Sequence, residues 1–370
     1  MSHDIDRRIN MRGMLSKLAG AVAVATLAGA AQAQVSIDWV TVGDPGNSDN
    51  ASFPFYGGVA YEFRIGTYEV TNDQYCTFLN AVDPTGANSL GLYNSNMGSN
   101  SRGGIDFDSM AANGSKYSTK TNFGNKPVNY VLLDDAARFA NWLHNGRGSG
   151  DTENGAYDVS TFPGTVTRDA SAKFYIPHID EWYKAAYYDG GTTNYWAFPT
   201  QSNSAPTKAT ANSSGDVSNP GANVANYDLE ADWNGDNGNV TTVGSAGSTS
   251  YYGTYDQGGN VTEMMQAHYS TNLVLAGGDW SNNAAAMSSG LAVFGTVGEF
   301  YHRGFRVART KFCLADWNDS GGQPDSSDYL DYLNDYGNND PRADLYPPGG
   351  DGVWNSSDII EYLNLYNAGC

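Results

Sequence analysis

The chain has 370 residues, room for one large domain with a smaller one beside it. Its formal charge is −20, from 40 acidic against 20 basic residues, which argues against nucleic acid or an anionic membrane as partner. Charged residues make up only 16% while Gly (44) and Tyr (25) abound, a mix that suits a loop-rich fold and excludes a helical bundle.

The N-terminus reads as a targeting segment. Arg7, Arg8, Arg12 and Lys17 form a basic start, and the apolar run that follows, residues 18–30, is too short to cross a bilayer. Ala31-Gln32-Ala33 has the pattern of a cleavage site, so residues 1–33 are expected to be removed. The mature chain is then secreted or held at the cell surface. Loss of four basic and two acidic residues takes the charge from −20 to −22. No later stretch reads as membrane-spanning.

Residues 35–70 suggest short strands, with 59–68 (VAYEFRIGTY) alternating as a half-buried one. Thr71 is placed to cap a helix running to about Val82, with Asp73 and Gln74 in its first turn. Cys76 lies in that helix among Tyr75, Phe78 and Leu79, as a small hydrophobe. Residues 86–125 look loop-like. A second helix is expected over 134–144 (DDAARFANWLH), capped by Asp134, with Ala137, Phe139, Ala140 and Leu143 inward and Gly146 ending it. A third follows over 180–188 (DEWYKAAYY). Residues 190–250 are a long run of Gly, Ser, Thr, Asn and Asp, a sign of loops held by side-chain contacts and bound ions. Short strands around glycine pairs return over 251–309.

Five motifs stand in order: IGTYEVTNDQYCTFL (65–79), KPVNYVLLDDAARFANW (126–142), IPHIDEWYKAA (176–186), GGNVTEM (258–264) and AGGDWSNNAAAM…HRGFRVAR (276–309). Together they resemble the formylglycine-generating-enzyme, or sulfatase-modifying-factor, family over residues 35–309. The resemblance implies an α+β, loop-rich, C-type-lectin-like domain over 34–310. In that family two cysteines bind copper and activate dioxygen to oxidise a cysteine of a client sulfatase. Asn282 and Met287 stand at those two positions here. Cu(I) prefers soft thiolates, so no copper is expected.

The resemblance also implies two calcium ions. The positions matching one are Asp256, Gly259, Val261 and Glu263; those nearest the other are Asn226, Tyr227, Asp236 and Gly238. Carboxylates mixed with main-chain carbonyls suit that hard cation. Thr262 and Met264 replace the two tryptophans of the family's motif at the first site.

The tail, residues 311–370, is separate in character. From Cys313 onward it has eleven acids and one base, Arg342. DSSDYLDYLNDY (325–336) recurs as NSSDIIEYLNLY (355–366), matching at seven of twelve positions. Each copy is an acidic loop leading into a short amphipathic helix, and two copies together can bury what one cannot. Cys313 and Cys370 bracket the unit and are expected to pair in an oxidising compartment. The tail resembles a dockerin ending in Gly-Cys. That implies calcium loops using Asp316, Asn318, Ser320, Asp325 and Asp328, then Asp351, Asn355 and Asp358, and a cohesin-like or envelope protein as partner.

The chain is therefore expected to be a non-catalytic binding or scaffold protein, with a glycan or peptide as ligand, tethered by its tail. Two other readings compete: an oxidoreductase with a non-haem iron site built from His268, His302 and Glu299, or a carbohydrate-binding lectin-like protein.

Overall fold

The computed structural model describes residues 35–52, 54–148, 151–162, 167–269, 272–291, 293–310, 315–317, 324–340, 343–346 and 352–368. For 267–269, 272, 293, 294 and 368 it describes the backbone alone. The chain divides into two units, Met1–Ala33 and Gln34–Cys370; the first, with the expected leader, lies outside the described residues.

Regular structure is sparse, as the composition suggests. Helix α1, Asn72–Val82, starts from a capping box: Gln74 N–H donates to Thr71 Oγ1, and Gln74 Oε1 accepts from Thr71 N–H at 2.9 Å. α2, Asn96–Ser99, is a single turn. α3, Leu133–His144, begins one residue earlier than the sequence suggests, and Asp135 rather than Asp134 closes it. Asp135 sits at the third helical position, where its carboxylate can reach back to the Leu132 N–H, at 2.8 Å. α4, Ile179–Tyr187, is closed the same way by Glu181 on His178 N–H at 2.7 Å.

One sheet orders Trp39–Val42, Phe63–Gly66, Ala308–Thr310 and Phe174–Tyr175, all antiparallel. It joins the start of the domain to its end. A second orders Val293–Gly295, Asn272–Ala276, Thr262–Tyr269 and Arg303–Gly304, with the last pair parallel. The expected loop over 86–125 contains a hairpin of Ile105–Phe107 with Tyr117–Thr119. Over 190–250 only two-residue strands form, as expected from its composition.

The main core packs α1 and α3 against the first sheet. Phe139 lies 5.3 Å from Phe78, 5.6 Å from Trp142 and 5.6 Å from Phe305 between ring centroids. Cys76 is buried, and burial pushes its thiol up to about 12, followed by the nearby charge of Asp73.

In the tail, α5, Ser326–Gly337, and α6, Ser356–Ala368, occupy the two repeat copies. Tyr332 and Tyr362, equivalent positions of the repeat, stack at 4.0 Å and 3°. With Trp317 and Ala343 they form a core of their own. Among the described residues no helix is long and apolar enough to cross a membrane.

Candidate functional site

Four of the five sequence motifs converge on one buried polar knot. Arg306, of the GFR run, donates from Nη2 to Glu263 Oε1 at 2.6 Å and from Nε to Oε2 at 2.7 Å. Trp182 Nε1 donates to Glu263 Oε2 at 2.9 Å. Arg306 also donates to the carbonyls of Gly66 and Tyr255, at 3.0 and 2.8 Å. Asn260 Nδ2 donates to Glu69 Oε1 at 3.1 Å, while Glu69 Oε2 is buried with no hydrogen-bond partner among the described residues. A planar guanidinium matches a carboxylate with two parallel bonds, which makes such a pair specific as well as strong.

The knot holds more acid than base. Burial raises the Glu69 carboxyl well above the ordinary range, and the nearby Asp256 adds to that. Burial likewise pushes Asp256 up to about 6, against the opposing Gly244 N–H and Arg306. Small cavities flank both acids: one of about 10 Å³ lined by Asp256, Thr254 and Gln257, and one of about 30 Å³ lined by Glu69, Asp38 and Thr71.

Beside the knot runs the signature segment. Gly277 and Gly278 take left-handed φ of 90° and 64°, turning the chain out of its strand. Asp279 is buried and accepts from Ser281 N–H at 2.8 Å and Thr262 Oγ1 at 3.1 Å. Asn282 closes a turn on Asp279: its Oδ1 accepts from Asp279 N–H at 3.2 Å and its own N–H donates to Asp279 O at 3.0 Å. Met287 is fully buried against Ala225 and Tyr227, and its carbonyl accepts from Tyr187 Oη at 3.0 Å.

The sequence model of the sulfatase-modifying factor enzyme 1-like domain family matches residues 25–311. The chain belongs to this family. Among solved structures it is similar to Treponema denticola variable protein 1, at 18% identity and a TM-score of 0.45, over 76% of this chain and 97% of that one. A structure titled CarF is 19% identical with a TM-score of 0.47, over 75% and 99%. PvdO from Pseudomonas aeruginosa is 17% identical with a TM-score of 0.38, over 75% and 93%. No curated protein matches the chain.

The family's copper does not fit the residues at its site. Asn282 offers no sulfur, and the Met287 thioether is packed away inside the core. Of the residues weighed for iron, Glu299 is half-buried and accepts from Asn94 Nδ2 at 2.5 Å. Burial lowers His302, whose ring stacks on Phe300 at 5.4 Å. The side chain of His268 lies outside the described atoms.

The calcium positions divide. Asn226 fits a hard cation: its Nδ2 donates to Asn239 O at 2.8 Å, but its Oδ1 is buried and has no hydrogen-bond partner among the described residues. Asp256 accepts from Gly244 N–H at 2.5 Å. Glu263, by contrast, turns both oxygens to Arg306 and Trp182. Asp236 pairs with Arg102 at 3.3 Å, and Gly238 O accepts from Arg102 Nε at 3.2 Å. Tyr227 Oη donates to Pro206 O at 2.6 Å, and Val261 is fully buried. The two turns, nominated as separate sites, share a seam. Asn260 N–H donates to Asn226 O at 2.9 Å, and a Cβ on Gly259 would fall 2.2 Å from that oxygen. Among the described residues no three His, Cys, Asp or Glu side chains are grouped as a metal site.

In the tail, Asp325, Asp328, Asn355 and Asp358 serve helix starts. Asp325 N–H donates to Asp328 Oδ2 at 2.8 Å, and Asn355 N–H to Asp358 Oδ2 at 2.8 Å, the same box in both copies. Asp358 Oδ1 also accepts from Leu345 and Tyr346 N–H at 2.9 and 2.8 Å. Burial works to raise Asp358, but these main-chain donors outweigh it and hold it below the usual carboxylate range. Asp316 is buried. Asn318, Ser320, Asp351, Cys313 and Cys370 lie outside the described residues.

Sequence reasoning assigned no role to Glu69, Trp182 or Arg306. Each is a fixed letter of a recognised motif, in YEVTN, DEW and GFR, and that was the available signal. Arg102 carried no such signal, because only folding sets its guanidinium 4.6 Å over the Trp280 ring.

Proposed function

We propose that this chain is an exported, non-catalytic binding member of the sulfatase-modifying-factor family, tethered by its acidic tail. The observation that carries this reading is the fate of the two cysteine positions. One is an asparagine spent on a turn and the other a methionine sealed in the core. Two-electron oxidation of a peptide cysteine through Cu(I) needs two thiolates converging on one metal, and neither residue supplies one.

Calcium is the cation this reading retains. The partnerless Asn226 oxygen and Asp256 are the strongest support in the domain, with main-chain carbonyls completing a hard-oxygen set. The dockerin-like tail supplies the tether, onto a cohesin-like or envelope protein. Its duplicated helices share one aromatic core, and its acidic surface favours a partner with a basic rim.

Metal analysis of the purified mature protein tests this. The reading expects bound calcium and no stoichiometric copper or iron. Stoichiometric redox metal overturns it. For the tether, deleting residues 311–370 is expected to release the protein from the envelope fraction; unchanged retention removes that part.

A further inference from the structure

An aromatic platform stands beside the signature segment. Tyr301 is 38% exposed, the one widely open ring of a packed set. Behind it Trp280 is buried at 5.6 Å and Tyr130 meets it edge-on at 6.5 Å. The Arg102 guanidinium lies 4.6 Å from the Trp280 ring centre and 5.8 Å from that of Tyr301. Leu229, also 38% exposed, borders the same tryptophan across Gly238.

The backbone around this platform is strained. Tyr130, Asp228 and Leu229 hold left-handed φ of 58°, 58° and 63°, a conformation that bulky residues rarely adopt. Main-chain hydrogen bonds tie each of them to the platform's own segments: Tyr130 N–H to Phe300 O, Asp228 N–H to Asn282 O, and Leu229 N–H to Trp280 O. Strain held in place this way fixes an exposed ring in advance of binding, so little order is lost when a ligand arrives.

We infer that the Tyr301 platform binds a neutral saccharide, one pyranose face stacking on the tyrosine ring while its hydroxyls meet the polar rim. The inference rests on the binding reading above and names its ligand class. Three observations select a sugar. Tyr301 and Leu229 are each 38% exposed beside the buried Trp280, an open face that suits a flat ring more than an inserted side chain. The rim mixes donor and acceptor groups held in place by one another, with Ser101 and Asn234 exposed: Asp236, paired with Arg102 at 3.3 Å, accepts from Ser101 Oγ at 2.9 Å, and Asn234 Nδ2 donates to Ser101 O at 2.9 Å. Hydroxyl groups can answer both kinds. The formal charge of −20 disfavours an anionic glycan.

The test is saturation-transfer NMR on the full mature chain with cello-, manno- and galacto-oligosaccharides, each tried alone. Transfer to ring C–H protons is expected for at least one. Tyr301→Ala is expected to weaken it about tenfold or more, and Tyr301→Phe to keep it. Thermal melting of both variants checks that they fold. No transfer from any sugar, transfer that Tyr301→Ala leaves intact, or loss in Tyr301→Phe equal to that in Tyr301→Ala overturns the inference. Each such failure leaves the non-catalytic reading to its own test, which is metal content.

Discussion

Arg306 grips Glu263 with two bonds of 2.6 and 2.7 Å, both side chains wholly inside the protein. The arginine comes from the last motif of the domain and the glutamate from the strand Thr262–Tyr269 of the second sheet. The first sheet and the second are thereby pinned at one point, through Gly66 O on one side and Glu263 on the other. Breaking such a pair leaves an uncompensated buried charge. Glu263→Gln and Arg306→Met are each expected to lower unfolding stability by about 3–5 kcal/mol. Urea denaturation measures this, and a loss under about 1 kcal/mol would contradict the role given to the pair.

Gly259 makes the close approach between the two turns. It holds φ of 88°, and a Cβ there would meet Asn226 O at 2.2 Å. Both the conformation and the space forbid a side chain. Gly259→Ala is expected to cost more than about 1 kcal/mol, because it strains the backbone and forces the seam apart. Gly114 is also left-handed but faces open space, so Gly114→Ala is expected to cost less. Equal losses for the two would show that the Asn226 contact contributes nothing.

Asp135 gives a pH dependence. It is buried, and burial pushes its carboxyl up to about 7; the Leu132 N–H opposes this, the Glu299 charge adds to it, and Arg138 opposes it. A carboxyl whose folded pKa is raised favours folding in its protonated form. That contribution is complete below the unfolded value near 4 and is lost as pH rises to about 7. The loss is on the order of 3 kcal/mol. Asp135→Asn is expected to flatten the fall in stability between pH 4 and 7, as followed by chemical denaturation at several pH values. A steeper fall in the variant would reverse the sign of this account.

Chelation should weaken the domain. A ligand that binds only the folded state at a hundred times its Kd contributes about 2.7 kcal/mol. Melting in excess EDTA is expected to fall below melting in calcium, and Asn226→Ala is expected to narrow that gap. An Asn226→Ala variant with an undiminished calcium response would remove Asn226 from the site.

The fold was legible where local chemistry decides it. Thr71 and Gln74 announce α1 because a capping box needs only residues three apart. The tail repeat announced paired helices, and Tyr332 stacks on Tyr362 at the heart of them. Asp135 closes α3 where the sequence suggests Asp134, because the two adjacent acids look alike in sequence and only position on the helix tells them apart. The hairpin of Ile105–Phe107 with Tyr117–Thr119 is not legible in the sequence, because three-residue strands show no periodicity. At the site, the motif letters were visible but their meeting was not. Glu69, Trp182, Glu263 and Arg306 lie on distant segments, and no spacing rule joins them. The Tyr301 platform is a product of loops alone, which local patterns do not encode.

On the function proposed above, this chain keeps the family's frame without its copper chemistry. The most direct measurement is to load the purified mature protein with Cu(I) against a competing chelator, then supply oxygen and a cysteine-containing peptide. No copper is expected to be retained, and the peptide cysteine is expected to remain unoxidised. One copper held per chain, with conversion of that cysteine to an aldehyde, would contradict it.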